Sequence, residues 1–359
     1  MKKKILHIGI SKTLGGIETY LLNLMKSINQ EEFQMEFLVF YNENPDFLKV
    51  IKEQGGIIHR LTSRTENYFQ NRKELKAFFK LNSDYTVIHN HIINLTYPWP
   101  IFYAPKNSKV ILHSHIAKLP SNKRILFFHN FYKKRMLNRA DILLACSNLA
   151  GEFMFEKERF QLITNAIDFE QYEFKNDIRE KYRKEMGLNN EIVLGHIGRF
   201  EEQKNHIFLV EMFKQLVDSS ELNYHLLLVG EGSLEHKIKE KAEEVDLSGK
   251  ITFLGVRRDV QELLNVFDLF LLPSLYEGLP FVIVEAQVNG LKCIVSDQVS
   301  NESDFNKNIS FLPINRGFEE WVKGIEVNAY NNTPRVNDLL NTEYDLRQMI
   351  KSIEMIYKN

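Results

Sequence analysis

Arg199 and Lys204 stand five residues apart just beyond an apolar run, Ile192–Ile197, that gives way to Gly198. In a parallel sheet, side chains past the carboxyl end of a strand point to where ligands bind. Two cations there would neutralise a diphosphate, the guanidinium through paired hydrogen bonds. The same pair also reads as two solvated loop charges. Farther on, Glu277-Gly278-Leu279-Pro280-Phe281 precedes a second carboxylate, Glu285. Gly278 would let the backbone approach a ligand, and a helix opening at Pro280 would turn free N–H groups toward a phosphate. Glu285, more than a turn into that helix, could accept both hydroxyls of a ribose; Glu277 could accept from sugar hydroxyls. As plain structure, Pro280 starts a helix and Glu285 is a surface carboxylate. That reading leaves unexplained why Gly, Pro and two Glu converge after Pro273-Ser274.

The first half of the chain carries weaker signals. Gly15-Gly16-Ile17-Glu18 follows the first apolar run and opens a helix, so its N–H groups could meet phosphate or acceptor. A tight turn alone would also account for two glycines. Two His-x-His pairs, His89-Asn90-His91 and His113-Ser114-His115, put both members on one face of a strand. No carboxylate–histidine set of metal spacing accompanies them, so no metal is expected. The segment 123–139 interleaves Phe127, Phe128, Phe131 and Tyr132 with Lys133, Lys134 and Arg135. Such a helix suits an anionic membrane surface, or else buries its rings and solvates its charges.

Short β-like runs alternating with amphipathic helical stretches must position these groups. Six runs fall in the first half: Ile5–Ile10, Met35–Phe40, Thr86–His91, Val110–His115, Ile142–Ser147 and Gln161–Ile167. Six more follow: Ile192–Ile197, His225–Gly230, Ile251–Leu254, Leu269–Pro273, Lys292–Ser296 and Ile309–Pro313. Near-continuous apolar strands between helices predict parallel sheets covered on both faces. The fold expected is α/β with two doubly wound, Rossmann-like domains. The polar stretch Asp168–Asn190 is the expected boundary, giving domains over 1–170 and 171–340. A C-terminal helix over 341–359 is expected to pack back on the first domain. Asp259-Val260-Gln261-Glu262 resembles a capping box for a helix running to Phe267.

A chain of 359 residues exceeds what one core usually serves. No apolar run reaches the roughly 18–20 residues that span a bilayer. The start, Met1-Lys2-Lys3-Lys4, is basic, but Ile5–Ile10 is too short for a signal-peptide core and reads as a strand. Two cysteines, Cys146 and Cys293, both in apolar runs, argue for a reducing compartment and against a disulfide framework or zinc cluster. Residues 1–170 carry 24 Lys+Arg against 16 Asp+Glu, or +8; the remainder carries 22 against 31, or −9. The basic front half suits an anionic partner such as a membrane surface, while the net charge of −1 argues against general nucleic-acid binding.

Glu277 and Glu285, with seven residues between them, resemble the E-x7-E motif of the family-4 retaining glycosyltransferases, the group 1 glycosyl transferases. The likeness extends to Gly198-Arg199 with Lys204, Val229-Gly230-Glu231-Gly232, Phe253-Leu254-Gly255 with Asp259, and Leu275-Tyr276-Glu277-Gly278-Leu279-Pro280. It covers nearly the whole chain and is densest over 192–297. The resemblance implies two Rossmann-like domains facing across a cleft that holds the active site, the GT-B architecture. It assigns Arg199 and Lys204 to the donor diphosphate, Glu285 to the ribose and Glu277 to the transferred sugar. Val256 and Arg257 would meet the base, and Gly278, Leu279 and Pro280 the phosphates. Gly16 matches the family's glycine loop, and Asp259 is read as a helix cap. The family's functional histidine would be His115, with His113 as the alternate. Where relatives show Pro-Asn-Gly before an aspartate, this chain has Thr164-Asn165-Ala166-Ile167-Asp168. Asn165 is therefore assigned no contact.

The resemblance implies retention of configuration. Arg199, Lys204 and a helix N-terminus would stabilise the leaving diphosphate, so neither metal nor other cofactor is expected. The donor would be a nucleotide diphosphate sugar, UDP ahead of GDP. A hydroxyl on a glycan, plausibly lipid-linked and destined for a surface polysaccharide, would be the acceptor. The expected location is cytoplasmic, with peripheral contact at the inner face of the membrane. Rival readings are a nucleotide-sugar epimerase of similar fold and a non-catalytic subunit that binds sugar nucleotides. A nicotinamide oxidoreductase is disfavoured, since Gly230-Glu231-Gly232-Ser233-Leu234-Glu235 lacks the third glycine of that fingerprint.

Overall fold

The computed structural model describes residues 2–116, 122–277, 280–330, 335 and 342–359. The chain divides into two compact units, residues 1–167 with 341–359, and residues 168–340.

The first unit holds a sheet of seven strands: β1 Lys3–Ile8, β2 Phe33–Val39, β3 Ile57–Arg60, β4 Val87–Ile92, β5 Lys109–Ser114, β6 Ile142–Ala145 and β7 Gln161–Leu162. Their order is β3-β2-β1-β4-β5-β6-β7, and every pairing is parallel. The second unit holds β8 Ile192–Ile197, β9 Tyr224–Val229, β10 Ile251–Gly255, β11 Leu269–Leu272, β12 Lys292–Ser296 and β13 Ile309–Leu312. These run in the order β10-β9-β8-β11-β12-β13, again parallel. Each order reverses direction once, between β1 and β4 and between β8 and β11. Crevices for ligands open at such switch points, beyond the carboxyl ends of the strands.

Alternation along each strand builds two cores per sheet. In the first unit Ile5, Met35, Val87 and Ile111 face the helices Gly16–Ser27 and Leu346–Lys358, while Leu6, Leu38, Ile88 and Val110 face the opposite core. In the second, Leu194, Leu226, Leu269 and Ile294 pack with Trp321, and Val193, Leu227, Phe270 and Val295 form the other side. Each fully buried aliphatic or aromatic side chain contributes about 1.5–3 kcal/mol. Strands apolar on both faces are thus what a doubly covered parallel sheet requires.

Three elements differ from expectation. The first sheet has a seventh strand, β3, which escaped notice because Ile57-Ile58-His59-Arg60 is a short edge strand, half polar and partly exposed. The boundary falls at Ile167/Asp168 rather than at 170. The helix Phe281–Val288 begins one residue later than read, with Pro280 extended at the N-cap.

The C-terminal helix Leu346–Lys358 belongs to the first unit, contributing Leu346, Met349, Ile350, Ile353, Ile356 and Tyr357 to its core. Lys109 Nζ donates to the Ile356 carbonyl at 2.9 Å and Lys3 Nζ to that of Lys358 at 2.6 Å. Both cations sit where the helix dipole is negative. Neither Cys146 nor Cys293 is in a disulfide. Among the described residues no helix is long and apolar enough to cross a membrane.

Candidate functional site

In the second unit, glycines bring two loops into backbone contact at the carboxyl edge. Gly230 adopts φ +134°, and a Cβ there would lie 2.1 Å from the Gly198 carbonyl oxygen. A Cβ on Gly232 would lie 2.5 Å from that of Phe200. Only glycine permits this approach. Gly198 N donates to the Val229 carbonyl, Phe200 N to Glu231 and Leu234 N to Phe200, all at 2.8–2.9 Å. The result is a rigid floor under a cavity of about 390 Å³, lined by Gly198, Arg199, Gly230, Val256, Arg257 and Val260 among others.

Arg199 rises exposed from this floor and makes no ion pair among the described residues. The neighbouring carboxylate, Glu201, is already held by the N–H and hydroxyl of Ser233, at 3.1 and 2.8 Å. Among the described residues Arg199 is therefore a cation with unused donors beside a cavity. Val256 is 62% exposed at the same rim. Arg257 is occupied: its Nε and Nη2 donate to Asp259 at 2.8 and 2.5 Å, and Tyr182 donates to the same carboxylate at 3.0 Å. These hydrogen bonds, Arg257 foremost, hold Asp259 down at about 2. The capping reading of Asp259 is thus wrong. It stands at the N-cap of the helix Val260–Val266, but its side chain caps no N–H because both oxygens are spoken for.

Lys204 ends a short 3-10 turn, Glu202–Lys204, and places Nζ 2.5 Å from Glu277 Oε1. Ser274 Oγ donates to the same oxygen at 3.4 Å. The loops after β8 and β11, the two strands at the switch point, are tied by Leu275 N to the Gln203 carbonyl at 2.8 Å and Gln203 Nε2 to the Tyr276 carbonyl at 3.0 Å. Two residues distant in sequence thereby become a half-buried ion pair. Gly278 and Leu279 lie outside the described residues. Pro280 precedes the helix whose first N–H groups have no intrahelical acceptor. Glu285, in that helix, accepts from the Tyr172 hydroxyl at 3.1 Å. Burial pushes its carboxyl up to about 7, with Tyr172 acting in the opposite direction. Sequence reading missed Tyr172, which no local motif marks.

In the first unit, Gly16 is the first residue of the helix Gly16–Ser27. Buried Glu18 accepts from the Ser11 N–H at 2.7 Å and so pins the loop that precedes it. The His-x-His pairs gather with a partner no motif announced, His7 on β1. In register His7 faces His89 and His91 faces His113. His115 stands just past β5. Its ring packs with those of His91, His113 and Tyr20. Ring nitrogens of His7, His89 and His91, and of His91, His113 and His115, lie within 4.8 Å of one another. Burial holds all five rings well below the usual histidine range.

The helix Lys123–Arg139 buries only His129 and Met136. Phe127, Phe128 and Phe131 are 64%, 46% and 53% exposed, so these rings are not core.

Comparison with known proteins agrees with this arrangement. Residues 14–171 match the Glycosyltransferase Family 4 model, and residues 178–326 match Glycosyl transferases group 1. EpsF of Bacillus subtilis, named as a glycosyltransferase, is 29% identical over 99% of this chain and 96% of its own. The UDP-Gal:alpha-D-GlcNAc-diphosphoundecaprenol alpha-1,3-galactosyltransferase of Escherichia coli is 25% identical over 82% of this chain and 80% of its own. The structure of Anabaena HepE in complex with UDP superposes with a TM-score of 0.80 at 17% identity, covering 99% of each chain. With two parallel doubly wound sheets, matches to both halves of the family, and a cavity edged by Arg199 and Arg257 over the carboxyl ends of β8, β9 and β10, this chain belongs to the family-4, group 1 glycosyltransferases of GT-B fold.

Proposed function

We propose that the protein is a retaining, metal-independent glycosyltransferase that moves a hexose or N-acetylhexosamine from a UDP-sugar to a hydroxyl of a lipid-linked glycan, in surface polysaccharide assembly. The observation that carries this reading is Arg199, without an ion pair among the described residues, beside the glycine-floored cavity and adjoining the Lys204–Glu277 pair. Arg199 and Lys204 meet the diphosphate, Val256 and Arg257 border the base, and Glu285 accepts the ribose hydroxyls. Gly278, Leu279 and Pro280 border the phosphates, Glu277 accepts from the transferred sugar, and His115 is assigned to the same sugar. Gly16 is assigned to donor or acceptor through its N–H.

In the reaction the anomeric C–O bond to phosphate breaks and the acceptor oxygen bonds to the anomeric carbon. The acceptor proton passes to the departing phosphate oxygen. Charge building on the diphosphate meets two side-chain cations and the N-terminus of Phe281–Val288, which supplies the stabilisation a divalent ion would otherwise give. UDP is favoured by the complex of HepE with that nucleotide. The name of the Escherichia coli relative favours retention and a lipid diphosphate acceptor, because UDP-galactose is an α-glycosyl phosphate and the linkage named is α. The exposed phenylalanines and basic residues of Lys123–Arg139 suit contact with an anionic bilayer at its cytoplasmic face.

The test is UDP release from a panel of UDP-sugars, with polyprenyl-diphosphate sugars as acceptors and a chelator present. Product anomeric configuration is read by NMR. Transfer with retention in chelator is expected. An inverted product, a strict divalent-ion requirement, or an epimerised sugar nucleotide without acceptor would each overturn the reading.

A further inference from the structure

Four buried imidazoles, the half-buried ring of His115 and one phenol meet in a single file. His115 Nε2 lies 2.9 Å from His91 Nδ1, and His91 Nε2 lies 3.0 Å from His7 Nδ1. His7 Nε2 stands 3.5 Å from the Tyr357 hydroxyl, the longest link. That hydroxyl is 2.7 Å from His89 Nδ1, and His89 Nε2 is 3.2 Å from His113 Nδ1. Burial keeps every ring neutral at ordinary pH, so each carries one N–H. A neutral ring that accepts at one nitrogen donates at the other. One fixed link therefore sets the sense of the whole file.

Tyr357 provides that link. Its hydroxyl stands 2.7 Å from His89 Nδ1, and with the phenol as donor there the sense of the other links follows. His89 Nε2–H then donates to His113 Nδ1, which leaves the His113 proton on Nε2, a buried nitrogen with no hydrogen-bond partner among the described residues. On the other side the phenol oxygen accepts from His7 Nε2–H. His91 Nε2–H donates to His7, and His115 Nε2–H donates to His91. His115 Nδ1, which is buried and has no hydrogen-bond partner among the described residues, is left as a bare acceptor.

We propose that Tyr357, His7 and His91 are positioning residues that hold His115 in its Nε2–H tautomer, so that Nδ1 offers a lone pair to a hydroxyl of the donor sugar. What Nδ1 meets rests on the function proposed above; the tautomer does not. The C-terminal helix thereby becomes part of the machinery that sets the state of His115, although Tyr357 itself touches no substrate.

The experiment is a long-range ¹H–¹⁵N correlation on histidine-labelled full-length protein without substrate, paired with metal analysis of the same sample. In the wild type, His115 is expected as a single neutral Nε2–H tautomer. Tyr357→Phe keeps the ring but removes the anchoring O–H. It is expected to give a mixture of His115 tautomers and to lower kcat about tenfold, with the donor KM within about twofold. Three results would overturn the proposal: a wild-type His115 in the Nδ1–H form, stoichiometric bound metal that makes these nitrogens ligands, or an unchanged His115 tautomer in Tyr357→Phe. Should that variant not fold, the wild-type spectrum and His7→Gln decide the same point. Absence of transfer with every donor, alongside the expected spectrum, would sink the proposed function and leave the tautomer assignment standing.

Discussion

Lys204 Nζ lies 2.5 Å from Glu277 Oε1, with the two side chains only 15% and 12% exposed. In the proposed function an arriving diphosphate would share this ammonium with a carboxylate already in place. Removing the carboxylate charge frees the cation and lifts a like-charge repulsion from the phosphates. Glu277→Gln is expected to bind UDP several-fold more tightly by calorimetry, yet to lose about 10²-fold or more in transfer, since it no longer accepts fully from the sugar. Lys204→Met is expected to lose about 10²–10³-fold in kcat/KM. It also loses stability, because Glu277 is left half-buried and unpaired.

Arg199 behaves differently because it begins without an ion-pair partner among the described residues. Its removal breaks no ion pair, so Arg199→Ala is expected to keep its unfolding free energy within about 0.5 kcal/mol. UDP affinity is expected to fall about 10- to 100-fold, as for loss of a charge-assisted contact. Denaturant unfolding and UDP titration on one sample check both halves of this contrast with Lys204.

Much of this was legible in the sequence, and the losses share a cause. Arg199, Lys204 and Glu277 stand out in the sequence because each sits in or beside a loop whose glycines mark a strand end, and Glu285 because it lies in the helix that follows Pro280. The twelve long apolar runs became strands for the same reason. The ion pair of Lys204 with Glu277, the contact of Tyr172 with Glu285 and the file linking His7 to Tyr357 were not legible. Each joins residues far apart in sequence, and sheet order rather than spacing decides which meet. The error at Asp259 is of the same kind. The local pattern allowed a cap, but Arg257 and Tyr182 compete for its oxygens more strongly than the helix N–H groups do.

The floor of the cavity yields a backbone prediction. Gly230→Ala must place a methyl against the Gly198 carbonyl while holding φ at +134°. It is expected to cost about 2 kcal/mol or more and to abolish UDP binding, since Arg199 would shift with its loop. Gly249→Ala is the control, for a Cβ there meets nothing within 4 Å. Comparable thermal midpoints for the two variants would refute the close-packed floor.

The exposed rings of Lys123–Arg139 separate surface function from stability. Replacing Phe127, Phe128 and Phe131 together by Ser is expected to leave the melting temperature essentially unchanged, because none is buried. Co-sedimentation with vesicles rich in anionic lipid should be lost, and the wild type's own binding should weaken as salt rises. Equal sedimentation of both proteins would remove the membrane from the proposed function.

Glu285 carries the pH dependence. Its folded carboxyl titrates at about 7 because burial opposes its charge, whereas an unfolded glutamate titrates near 4.5. Between those values the unfolded chain has lost the proton that the folded one retains. Stability contributed by this group is therefore complete below about pH 4.5, declines as pH rises toward 7, and is flat above. Binding should run the other way. If the ionised carboxylate accepts both ribose hydroxyls, UDP affinity rises through pH 7 and binding expels a proton. Calorimetry in two buffers of different ionisation enthalpy is expected to show that proton near pH 6.5 and its absence in Glu285→Gln. The Gln variant should lose only this group's share of the pH dependence, leaving that of the buried histidines, whose neutral folded rings make stability fall as pH drops below about 6.5. A wild type that binds UDP with no proton release across pH 6–8 would mean that Glu285 does not meet the ribose in its charged form.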